Sequence, residues 1–115
     1  MDEHGRVAIG DVSMPTGYRL YVQEGILTEH VKVALSTTAD WSDHVFQPGY
    51  QLMPLKNVAT YIKEHGHLPG VPSADQMVEG GLDVVKTDAM LMEKIEELTL
   101  YVIQLKQELD ELRSR

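Results

Sequence analysis

Near the C-terminus the apolar residues Leu91, Ile95, Leu98, Val102, Leu105, Leu109 and Leu112 recur at spacings that alternate between four and three. A repeat of 3.5 residues keeps one stripe on one side of a helix and requires another helix opposite it. Ile95, Val102 and Leu109 take the a positions of the heptad; Leu91, Leu98, Leu105 and Leu112 take d. The helix is expected to run from Thr87 or Asp88 to the end, about 39 Å at 1.5 Å per residue. Its character changes along its length. Met90, Met92, Leu100, Tyr101 and Ile103 widen the apolar face in the first half, whereas beyond Gln104 only a and d stay apolar. The first half is therefore expected to pack on the rest of the chain as well as on partner helices, and the last turns to be bare coil. Glu108 at g faces Arg113 at e of a neighbour, an exposed pair worth at most about 1 kcal/mol.

A lone short coil is marginal in water, so self-association is preferred to a helix folded back on its own domain. β-branched residues at two a positions with Leu at d lean towards two strands if the helices are parallel. The heptad pattern therefore does not by itself specify three chains.

At 115 residues the chain is enough for one domain with an appendage, and a partner would help a core of this size. The formal net charge of −8 opposes binding to nucleic acid or anionic lipid. The absence of cysteine excludes disulfide frameworks, zinc ribbons and thiol nucleophiles. No apolar run reaches the roughly 18–20 residues needed to span a bilayer, so no membrane insertion is expected. MDEHGRVAIGD lacks the basic start and apolar core of a signal peptide. It reads as the middle of a β pattern, as if the chain were the C-terminal piece of a longer protein.

Residues 6–35 read as β, in half-buried antiparallel or wrapped strands. RVAIG is closed by Gly10, YRLYVQ alternates and breaks at Gly25, and ILTEHVKVAL resumes the alternation with Val31, Val33 and Leu35 on one side. WSDHVFQPGYQL reads as an ordered loop anchored by Trp41, Val45, Phe46 and Tyr50. PLKNVATYIKEHG is a short helix with Leu55, Val58, Ala59 and Ile62 on one stripe, Pro54 at its start and Gly66 at its stop. Pro69 and Pro72 then make an extended link or rigid elbow. Ser73 and Gln76 form a capping box for a second short helix, closed by Gly80 and Gly81, and LDVV is a brief extended piece.

The order of these pieces carries a resemblance. GRVAIGDVSMPTGYRLYVQEGILTEHVKVAL resembles a unit found near the ends of bacterial and phage tail-fibre-like proteins. WSDHVFQPGYQL, the Leu55/Val58/Ile62 helix, HLPGVPSADQMVEGG and KIEELTLYVIQLKQELDEL resemble the C-terminal chaperone and trimerisation region of such fibres. A more distant likeness is to the endosialidase-type intramolecular chaperones, which clamp three chains during folding. The resemblance implies an α+β, intertwined homotrimer. It would comprise a β-rich fibre neck or shaft end (1–40), a small α/β head with two short helices (41–86) and a C-terminal coiled-coil helix (87–115).

In that family the chaperone is often released by self-cleavage before the Ser of a Ser-Asp-x-x-Leu-Lys motif. Ser42 and Asp43 match its first two positions, but Phe46 and Gln47 stand where Leu and Lys belong. A Ser nucleophile needs a base, so no cleavage is expected and Ser42–Asp43 reads as a turn cap. His65 and His67 form a His-x-His pair that three chains could bring to one metal, although imidazoles at a helix end are more simply solvated there. Glu93, Glu96 and Glu97 read as a solvated helix face. The expected function is non-enzymatic and needs no cofactor: trimerisation and folding at the C-terminus of a tail fibre or surface fibre, extracellular or on a phage tail or injection machine. Leu91, Ile95, Leu98, Val102, Leu105, Leu109 and Leu112 would carry it. The alternative is a tip that attaches to a host receptor or glycan, with Trp41 or Tyr50 exposed in an aromatic groove.

Overall fold

Strand and helix are segregated along the chain, giving a mixed α+β protein. In the computed structural model, which describes residues 1–115, β1 (Val7–Ile9) and β2 (Leu20–Val22) are followed by α1 (Leu55–His65), α2 (Ala74–Gly80) and α3 (Val84–Arg113). The chain forms two compact units, Met1–Lys32 and Val33–Arg115.

In the first unit β1 and β2 pair in parallel, with Val7 opposite Leu20, Ala8 opposite Tyr21 and Ile9 opposite Val22. The expectation of antiparallel or wrapped strands is corrected. Residues 10–19 loop back through positive φ at Gly10 and Gly17, so the second strand starts beside the beginning of the first. Gly10 has no room for a side chain, because a Cβ there would lie 2.7 Å from the Gln23 Cβ. Tyr21 is the one buried apolar residue of this unit. Its hydroxyl donates to the Pro15 carbonyl and accepts from the Tyr18 N–H at 3.3 Å. Asp2 holds the other end through Arg6, Nε to Oδ2 at 2.8 Å.

The alternation in residues 26–35 does not produce a strand. No backbone–backbone hydrogen bond involves residues 26–36, and Ile26, Leu27, Val31, Val33 and Leu35 are exposed. Alternation specifies which face is apolar, but a strand also needs an edge to pair with, and the single chain offers none here.

The second unit contains no strand, so the α/β head is corrected to a helical one. Two 3-10 turns, Thr38–Asp40 and His44–Phe46, precede α1. Pro54 and Gly66 bound α1 as the sequence indicates, with Gly66 in the left-handed conformation at φ 76°. Leu68–Val71 is a turn in which the Val71 N–H donates to the Leu68 carbonyl at 3.1 Å and Gly70 has φ 76°, the Pro-Gly signature of a type II turn. The Ser73–Gln76 capping box forms, and Gly81 caps α2. Val84 and Val85 are helical instead of extended: Asp83 accepts from the Lys86 N–H and starts α3 there. At 30 residues α3 is about 45 Å long.

Candidate assembly surface

One side of α3 is covered by its own chain. The Ser42 hydroxyl donates to the Ala89 carbonyl at 3.1 Å, His44 Nε2 lies 3.1 Å from Glu93, and the Tyr50 hydroxyl donates to Glu97 at 2.6 Å. The Tyr101 hydroxyl donates to the Met53 carbonyl. Val45, the most buried side chain of the unit, sits in the loop that makes these contacts. Residues 42–53 thus run along the first half of α3, on the side away from the heptad seam.

This arrangement corrects the reading of Glu93, Glu96 and Glu97 as a solvated face. Glu96 is only 5% exposed, and one of its carboxylate oxygens has no hydrogen-bond partner. Glu97 bonds both Tyr50 and Lys94, the latter at 2.8 Å. Burial works against the Glu97 charge, but the Lys94 and Tyr50 hydrogen bonds outweigh it and hold the carboxyl below the usual glutamate value. Burial and the bond to Glu97 raise the Tyr50 hydroxyl well above an ordinary phenol. Charge run and spacing gave no sign of this network. The visible signal was Tyr50 as an apolar anchor in the loop before α1, but which helix it would meet depends on tertiary folding.

The opposite side of α3 is open. Leu91, Ile95, Leu98, Val102, Leu105, Leu109 and Leu112 are between 43% and 64% exposed, and every residue from Val102 to Arg115 is exposed. Beside the upper seam lies an apolar groove of about 550 Å3, with Leu91, Ile95 and Leu98 as its floor and Leu55, Val58 and Leu68 opposite. Lys94 and Tyr101 edge it. In the whole chain only Tyr21 and Val45 are buried apolar residues.

The remaining candidates are placed as follows. Ser42 is buried with its hydroxyl engaged by Ala89, while Asp43 sits at φ 112° with no side-chain capping bond. His65 stacks on Tyr61 at 4.0 Å, and its ring centre is 6.0 Å from that of His67. No group of three or more His, Cys, Asp or Glu side chains is arranged to hold a metal. Trp41 is 40% exposed in a recess with Leu35, Thr37 and Thr38; Tyr50 lies apart from it, against Glu97. No helix is long and apolar enough to cross a membrane. Comparison with family models, characterised proteins and solved structures finds no match to this chain.

Proposed function

We propose that this chain is a non-enzymatic assembly and folding domain that trimerises through α3 at the C-terminus of a tail-fibre-like or surface-fibre protein. The observation that carries the reading is the long exposed half of α3. It bears an unbroken heptad seam, and every residue from Val102 onward is exposed. A helix segment of that length is marginal in water alone, and burying its a and d residues in a coil removes the cost of leaving them exposed. The lack of any backbone–backbone hydrogen bond in residues 26–36 and the exposed Ile9 and Leu20 of the small sheet support the same reading, since both would be completed by neighbouring chains. The stoichiometry of three, and the location outside the cell or on a phage or injection particle, rest on the resemblance to fibre ends.

The work is topological. Pairing strands between chains is slow because closure entropy must be overcome before contacts form. A coil that joins the chains in register raises their effective concentration. Sedimentation equilibrium should give a three-chain mass for the parent, and Leu98→Asp with Leu105→Asp should abolish it; an unchanged mass in the double variant would remove α3 as the assembly element.

Trp41, 40% exposed in a recess that Thr37 and Thr38 also line, favours a second reading: a host-attachment tip that binds a glycan by ring stacking. Glycan-array binding lost on Trp41→Ala would support it, and binding unaffected by that substitution would count against it.

A further inference from the structure

We propose that the Lys32–Val33 peptide bond is a processing site for an endoprotease that recognises a basic side chain, and that a cut there separates the two compact units of the chain. Every residue from Gln23 to Ala39 is exposed, and no backbone–backbone hydrogen bond holds residues 26–36. A protease clamps several residues of its substrate as an added strand in its cleft, so their N–H and C=O groups must be free. Helical or ladder-bonded segments have to open locally first, and the cost of opening slows their cleavage. Val31 to Leu35 need no such opening. The boundary between the units falls between Lys32 and Val33.

The basic specificity follows from where the other candidates lie. Of the ten Lys and Arg residues, two are in α1 and four in α3. The Arg6 and Arg19 carbonyls accept from the Asp2 and Val7 N–H groups, and Arg115 is the last residue. Lys32 alone stands in exposed backbone without a helix or ladder bond. A protease selecting apolar side chains finds no such single site, because Leu27, Leu35, Trp41 and Leu68 are all exposed outside helices and strands. An acidic specificity pocket that holds a Lys ammonium therefore picks out one bond. Water adds across that bond in the cut: the Lys32 carbonyl becomes a carboxylate and Val33 gains a free amine. The Met1–Lys32 unit keeps the β1–β2 ladder, and the Val33–Arg115 unit keeps Tyr50 on Glu97. The site is read from the single chain and stands apart from the assembly reading. Neighbouring chains that complete residues 26–36 would cover the bond, so the cut belongs to the unassembled chain.

Brief digestion of the full chain with trypsin, followed by intact mass, tests the site. The first internal cut should give residues 1–32 and 33–115, and the longer piece should persist. Lys32→Gln, at an exposed position, should slow loss of the intact chain at least about tenfold, since every other basic site needs local opening. Trimming at Arg113 removes only the last two residues and is counted apart. A first internal cut elsewhere, or Lys32→Gln digested as fast as the parent, would overturn the site. Loss of 33–115 as fast as it forms would overturn the separation into units. The Leu98→Asp, Leu105→Asp chain provides the comparison with the assembled parent. A cut in that variant and resistance in the parent support both the site and its cover by neighbours. Equal cutting in the two supports the site and removes the cover, and the sedimentation mass decides assembly independently.

Discussion

Glu97 shows how a residue that reads as surface charge becomes part of the packing. Its bonds to Lys94 and Tyr50 fix the chain before α1 to the first half of α3, and the pH consequences follow from the two shifts. The folded-state value of Glu97 is depressed, so its contribution is present above the ordinary glutamate value of about 4.3 and is lost as pH falls through that value towards the folded one. Tyr50 is raised, so its contribution is whole below about pH 10 and declines as pH climbs beyond it. Denaturant melts at fixed protomer concentration should therefore show stability falling on both sides. Tyr50→Phe should flatten both limbs, and a Tyr50→Phe profile parallel to that of the parent would show the bond to be incidental. Of these residues only Tyr50 had a role legible in the sequence, as an apolar anchor. Glu96 gave no hint of burial, since nothing local distinguishes it from its solvated neighbours.

The helices were legible because their signals are local. Pro54 and Gly66 bound α1, and the Ser73 capping box joins residues three apart in sequence. The box satisfies amide groups that helix α2 leaves unpaired; Ser73→Ala is expected to cost about 1 kcal/mol, read as a lower urea midpoint with an unchanged slope. Val84 and Val85 read as extended because β-branched residues suit strands, whereas the Asp83 cap draws them into α3. The strands were less legible. Alternation in residues 26–35 is as clear as in β2, yet only β2 finds a ladder partner within the chain. Strand pairing is non-local, and this segment meets no strand edge within its own chain.

Only Tyr21 and Val45 are buried apolar residues, so the single chain leaves much of its apolar surface for a partner to cover. The assembly proposed above would couple the folded state to association, and the melting temperature should then rise with protomer concentration as mass action requires. A melting temperature independent of concentration over a hundredfold range would mean that the single chain is stable by itself. The sequence alone determined the three helices, the ends of the two short ones and the heptad stripe, because each rests on residues within a few turns of one another. Tertiary structure decided what periodicity does not encode. The same α3 has one side covered by residues 42–53, with Glu96 buried there, and another left open as the seam with a groove at its flank. That choice depends on contacts between residues some 47 apart in the chain, whose free energy is realised only once the loop before α1 has closed onto the helix.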